Sequence, residues 1–562
     1  MSDSNARASR PGTRRGPRAA AYQLSRRQFL GGLAGMAVAG SAAAGLSGCG
    51  NGSSSSTAVT VGKSWAKAPV TFTFLDTQEP THLDPALETE FDEFTITRNI
   101  YDPLVWPDEA TTTLRPWLAT SWSANTDATS HTFKIRPNVT FHDGSALDAD
   151  AVVLSLNRYR AIGAPGEGYL LDGITKVTAA DAMTVVIETS APQPWLPAHL
   201  TKFGILSAQA IRAHKTASDP WAQKYFAASA VGTGAYKFSS WVHGVSITLT
   251  KNERWWNGPW QPGSIDTVII KPESDASTRS QLISSRSADF ATEWTVQDAV
   301  QVGKQPGFTL LREKTYDTDP VIFFDAQRPP FDNKLVRQAM QYAFDYAGMR
   351  EFFSGYAVPT TGVFPPFYPY AAPGLPEFTQ DLPKARSLLR GAGVDPSSLS
   401  VKIAAPIGYA DLIAGATIFQ SALQQLGVSA SVQQLPYGQI IAAYEQSPSP
   451  YMVTDIYNSP FTFDPTQFMA EFLPSNSTNE FSRYSDPAVT SLVSKAGSTT
   501  DTGAVRQMLN EAQLRLRDDA PCIFGATPET LVVVPDYLEG FVMQKTDYRF
   551  PCLFYLLRVR EH

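Results

Sequence analysis

Few residues of this chain are typed and spaced for chemistry. His82 stands two residues before Asp84, and His142 directly precedes Asp143. Either could be drawn as a metal-ligand or proton-transfer pair, because imidazole and carboxylate serve both chemistries. Neither has a further Cys or His at metal-site spacing, so no metal is expected. His142-Asp143-Gly144 is composed as a turn: Asp can bond its own backbone and Gly accepts positive φ. A structural role is therefore expected for His142. Gly62-Lys63-Ser64 lacks the glycine five residues earlier that a phosphate loop needs. The chain has no G-x-S-x-G elbow and no H-E-x-x-H pair, so neither an activated nucleophile nor a catalytic zinc is visible. An enzyme is not expected, nor is a cofactor; a lipoprotein hydrolase is the alternative, and it would need a nucleophile–base pair.

The elements that hold these residues read clearly between Leu118 and Arg160. Thr132 to Arg136 alternates apolar and polar, the period of a half-buried strand. Val139 and Phe141 predict a second short strand after Pro137-Asn138. Asp148 can cap a following helix by accepting an unpaired first-turn N–H. Val152, Val153, Leu156 and Tyr159 give that helix one apolar face. Elsewhere, strands are predicted at Val70–Leu75, Ile174–Val177, Thr184–Glu188, Val245–Leu249, Ile265–Lys271, Val401–Ala404 and Ser431–Leu435. Helices are predicted near Phe94–Tyr101, Thr278–Phe290 and Leu382–Leu389, with a long one over Ile413–Leu426 that Gly427 ends. Strand, helix and strand in succession are α/β chemistry.

Length and charge bound the function. The 562 residues leave room for two or three domains, and 43% apolar with 18% charged residues describes a soluble globular protein. The first 48 residues hold seven Arg and one Asp; against a formal total of −7, that net +6 leaves −13 on the rest. Acidity of this size argues against nucleic acid, which needs basic patches to neutralise phosphates. Three cysteines occur. Cys522 and Cys552 lie in apolar runs, and both a disulfide and two buried free thiols are open.

The amino terminus is similar to an export address. Ser25-Arg26-Arg27-Gln28-Phe29-Leu30 resembles the twin-arginine pattern, with Arg26 and Arg27 as its pair. A mild Gly/Ala-rich run follows, too weakly apolar for a membrane span. Leu46-Ser47-Gly48-Cys49 resembles a lipobox, which implies lipid attachment at Cys49. Gly50 to Thr57 has the composition of a flexible tether.

A-x-S-W, a polar spacer, T-F-K-I-R-P-x-V-x-F-H-D-G and the capped helix together resemble the motif of family 5 of the extracytoplasmic solute-binding proteins of ABC importers. These are the oligopeptide, dipeptide and nickel type. His82-Leu83-Asp84-Pro85, Tyr101-Asp102-Pro103-Leu104, Val231-Gly232-Thr233-Gly234-Ala235-Tyr236, Asn252 to Trp256 and Pro330 to Ala339 resemble later family elements in order. Ser287 departs from a usual glycine. The resemblance implies an α/β fold of two lobes, the type II (cluster C) periplasmic-binding-protein architecture, with an extra small α+β domain. It divides the chain into a signal peptide (1–48), a tether (49–65), first-lobe segments (66–100, 227–322 and 526–562), the added domain (101–226) and the second lobe (323–525). It also implies a small-molecule ligand, a permease and ATPase complex as partner, an extracytoplasmic location on a lipid anchor, and a monomer. A binding protein used for sensing without transport is the other alternative.

The resemblance places Glu88, Thr89, Trp294, Asn458, Phe461 and Phe463 at the ligand, with His82 and Glu293 on loops bordering it. Asp455 to Phe472 resembles the segment lining the cleft. Peptide binders carry there, four residues before the proline, an aspartate that pairs with the ligand's α-ammonium. This chain has Phe461 four residues before Pro465. An aromatic cannot replace a buried counter-ion, so a free-amino oligopeptide is disfavoured. Phe461 and Phe463 suit stacking on an apolar, aromatic or sugar-ring surface instead; packing of both rings under the loop is the alternative.

Overall fold

The computed structural model describes residues 64–88, 91–108, 113–163, 168–314, 319–407, 409–444, 449, 451–455, 462–470, 472–473, 481–543 and 552–561. Arg26, Arg27, Cys49, Thr89, Asn458 and Phe461 lie outside those residues.

Among the described residues, two large sheets and one smaller sheet organise the chain. The strand Thr71–Asp76 buries alternate residues, Phe72 and Phe74, as its period demands. It runs parallel to Thr267–Pro272 on one side and to Phe290–Ala291 on the other. The hairpin Tyr236–Val242 and Ser246–Lys251 extends this sheet antiparallel. The second large sheet runs in the order Phe308–Lys314, Cys522–Pro535, Asp319–Phe323, Met452–Asp455, Ser400–Pro406, Ser429–Leu435. The helix Ala410–Leu426 connects its two parallel strands, and Gly427 ends that helix at φ 92°. The expected boundary at 322/323 falls inside the strand Asp319–Phe323.

The smaller sheet carries the stretch on which the sequence reading rests. Its antiparallel order is Ala119–Ala124, Ser130–Ile135, Thr184–Thr189, Ile174–Asp181. His131, Phe133 and Ile135 point inward. Helix Ala149–Ile162 covers the sheet, with Asp148 accepting from the Ala151 N–H and Gly163 closing the other end at φ 86°. The expected second strand is reduced to one bridge, Thr140 to Ala146. Pro137 offers no N–H, and Asn138 adopts φ 63°, which turns the chain out of a ladder. Val139 and Phe141 are buried as expected, in an irregular segment.

One long strand belongs to both halves. The Cys522–Ala526 part of Cys522–Pro535 pairs with Asp319–Phe323, and its Glu529–Pro535 part pairs with Phe308–Lys314. Ile523 and Phe524 pack in the cores of the second large sheet. Leu531 to Val534 pack instead with residues of the first, including Leu75, Phe290 and Ala291. The chain therefore passes between the halves after Lys314 and again within this strand.

Candidate functional site

Three parallel strands end at the same edge of the first sheet: Thr71–Asp76, Thr267–Pro272 and Phe290–Ala291. In open α/β sheets, ligands bind beyond the carboxyl ends of parallel strands, where the connecting loops diverge. Asp76 closes the first strand and is 1% exposed. The Thr292 hydroxyl donates to its Oδ1 at 3.4 Å. Glu293 follows in the left-handed region at φ 53°. That conformation is strained for a residue with a Cβ and clusters at functional loops. Arg279 holds the turn from behind, donating to the Glu293 carbonyl at 2.9 Å. Trp294 is half-buried, and its indole N–H donates to the Ala291 carbonyl at 3.0 Å. Its polar edge is thus occupied, and its partly buried ring packs against the core that holds Leu75, Ala291 and Leu531.

The loop after Asp76 is tied down by carboxylates. Glu79 accepts from the Trp241 indole at 2.7 Å and from the Gly244 N–H at 3.0 Å. Glu93 accepts from the Thr81 hydroxyl at 2.7 Å, with His82 Nδ1 at 3.8 Å from it. Asp84 is fully buried and takes both ends of the Arg158 guanidinium, at 2.7 and 2.5 Å. Glu88 is buried beside the same cluster. Burial chiefly pushes the Tyr101 and Tyr159 phenols up, and the Asp84 and Glu88 charges add to it. This end of the loop faces the added domain.

The other candidate segment is Thr462–Ala470. Phe463 is 8% exposed, yet among the described residues it joins none of the hydrophobic cores. Asp464 is almost wholly committed: Oδ1 accepts from the Thr466 N–H at 2.9 Å and hydroxyl at 2.6 Å. Its Oδ2 meets His199 Nε2 at 3.0 Å. One turn before His199, the Trp195 ring meets Tyr370 edge-on at 6.3 Å. Sequence reasoning missed Trp195, His199 and Tyr370. The pair Trp195/His199 was visible as neighbours one helical turn apart, but its partners lie far along the chain.

The family-like motifs meet somewhere else. Asp102 accepts from the Trp117 indole at 2.7 Å, the Trp256 indole at 2.9 Å and the Thr233 hydroxyl at 2.8 Å. Burial raises its carboxyl above the ordinary range, and these donors oppose that rise. His142 shares its Nε2 with the Gly234 carbonyl at 3.0 Å, and its Nδ1 accepts from the Gly232 N–H at 3.4 Å. Burial lowers this imidazole to about 4, so it is neutral and structural as expected. A Cβ on Gly232 would sit 2.1 Å from the Ile100 carbonyl oxygen, which explains the glycine in that turn.

Of the two alternatives open for Cys522 and Cys552, the structure has two buried thiols with no disulfide between them. Cys522 packs with Val321, Phe323 and Phe524, whereas Cys552 packs with Phe74 and Phe554 in another core. Folding commits each thiol to a different half of the molecule. Among the described residues no cluster of three or more His, Cys, Asp or Glu could hold a metal, and no helix is long and apolar enough to cross a membrane.

Comparison with known proteins follows the same lines. A model of bacterial extracellular solute-binding proteins, family 5 Middle, matches residues 113–480. The chain is 28% identical over 497 residues to the glutathione-binding protein GsiB of Pectobacterium atrosepticum, covering 84% of this chain and 91% of that one. Among solved structures, DppA of Helicobacter pylori in complex with peptide STSA superposes with a TM-score of 0.74 at 23% identity, over 87% of this chain and 98% of that one. NikZ of Campylobacter jejuni in complex with Ni(L-His) gives 0.72 at 22% identity, over 87% and 99%. The fold is that of these two-lobed type II periplasmic binding proteins, with the small α+β unit added. The family match spans well over half of the sequence, and the chain belongs to the bacterial extracellular solute-binding proteins, family 5, the ligand-capturing components of ABC importers.

Proposed function

We propose that the protein is exported through its twin arginine, held at the membrane by lipid on Cys49, and captures an organic solute that is not a free-amino oligopeptide for delivery to a permease. The observation that carries the ligand reading is the state of Asp464. With Phe461 in place of the peptide binders' aspartate, Asp464 is the nearest carboxylate in the segment, and it is taken up by His199 and Thr466. An ammonium buried there without a counter-ion would cost several kcal/mol, of which a cation–π contact recovers roughly 0.5–2 kcal/mol. Trp294, Phe461 and Phe463 supply ring surface, which provides most affinity in such clefts, while few polar groups set selectivity. Glu88, Thr89 and Asn458 stand as the candidate polar contacts.

Relatives name the panel for the test: GsiB is a glutathione-binding protein, DppA holds a peptide and NikZ a nickel–histidine chelate. Tryptophan fluorescence and thermal shift against free-amino peptides (glutathione, with its free α-ammonium, among them), N-acetylated dipeptides, oligosaccharides and metal chelates should find one stabilising class that lacks a free ammonium. Phe461→Ala should weaken that ligand about tenfold or more. Tight binding of free-amino dipeptides that Phe461→Ala leaves unchanged would sink the proposal.

A further inference from the structure

The short helix Leu196–His199 belongs by its backbone to the added domain, where it packs on the Gly168–Leu171 and Val105–Pro107 segments. Two side chains leave it for the second lobe. Trp195 meets Tyr370, and His199 meets Asp464. The His199 and Asp464 side chains are 15% and 8% exposed, so their contact is largely shielded from water. Asp464, the residue after Phe463, in turn fixes Thr466.

The same seam is incompletely satisfied. Trp195 Nε1, His199 Nδ1 and Gln467 Nε2 are buried and have no hydrogen-bond partner. A polar atom buried without a partner has lost its water and gained nothing, so each one penalises the closed seam. Opening the seam would hydrate all three. An attractive bridge and a set of orphaned groups thus oppose each other at one place, while the strand Cys522–Pro535 joins the halves through continuous backbone. A switch needs such near-balance, because a ligand can shift it only by its own preference for one form.

We propose that Trp195 and His199 form a clasp which closes the cleft by holding Tyr370 and the Thr462–Gln467 segment of the second lobe, and that the clasp, together with the ligand, sets the closed population. His199 is a positioning residue here: it acts through Asp464. The proposal rests on the solute-binding reading but concerns closure without ligand.

The experiment is single-molecule energy transfer on ligand-free protein. Dyes are placed at Lys176→Cys and Ser397→Cys in a Cys49→Ser background, with the native thiols buried. His199→Ala should move the closed-to-open ratio about fivefold or more toward open. Trp195→Phe keeps the ring on Tyr370 and removes one orphaned N–H, so it should move the ratio toward closed. A general loss of structure would not produce opposite shifts. Unchanged distributions in both variants, or an opening by Trp195→Phe, overturn the clasp. Should His199→Ala fail to fold, Trp195→Phe and His199→Gln decide the matter. Failure of the ligand panel would leave these distributions interpretable, so the two readings fail separately.

Discussion

At the scale of single residues, Asp102 and His142 do the joining that the family-like motifs imply. Asp102 gathers three donors, two buried and one partly buried, from three separate stretches of chain. Asp102→Ala would orphan two indole N–H groups and a hydroxyl, and denaturant unfolding should show a loss of about 3–5 kcal/mol. His142 makes a pH prediction. Its folded pKa lies at about 4, against an ordinary 6.5, because burial disfavours the cation. Below pH 6.5 the unfolded chain takes up a proton that the folded chain refuses until about 4. The folded state is therefore at its best above 6.5 and loses up to roughly 3 kcal/mol as pH falls through that window. Melting curves from pH 7.5 to 4 should show this loss, and His142→Gln should flatten its share of the slope.

At the scale of elements, local rules predict most of what forms. The strand Ser130–Ile135 and helix Ala149–Ile162 follow from period and cap alone. The strand expected at Val139–Phe141 fails because the Pro137-Asn138 geometry spoils the ladder before burial is counted. The strand shared by both halves has its own constraint. A Cβ on Gly525 would lie 2.7 Å from Pro320 Cδ and 2.9 Å from the Pro320 carbonyl oxygen. Neither proline ring nor backbone can yield, so Gly525→Ala should lower the melting temperature by several degrees, about 1–3 kcal/mol of overpacking. A neutral result in differential scanning calorimetry would show that the strand shifts freely at this point.

At the scale of the whole molecule, the body is acidic and the amino terminus basic. The first 48 residues carry the arginines of the proposed address, and the remainder is strongly acidic. Cys49→Ser should move the protein from the membrane pellet to the soluble extracytoplasmic fraction with its fold intact. Retention in the pellet would remove the lipid from the account. The proposed ligand capture is likewise a property of the whole, since its candidate residues come from the carboxyl edge of the first sheet and from Thr462–Ala470, far apart in the chain.

The amino-acid sequence by itself determined most local elements and their caps, because periodicity, capping and turn chemistry act within a few neighbouring residues, and its motifs pointed to the family by resemblance. It also exposed the departure at Phe461. It named the candidate loops around Trp294 and Phe463 through resemblance. Only the tertiary structure decided what meets what. His199 and Asp464 are 265 residues apart in the chain, and Thr233 lies 131 residues from Asp102. Cys522 and Cys552 are close in sequence and yet fold into different cores. The reason is physical: spacing along a chain sets which face a side chain occupies, whereas the path of the backbone through space sets the partner that face will find.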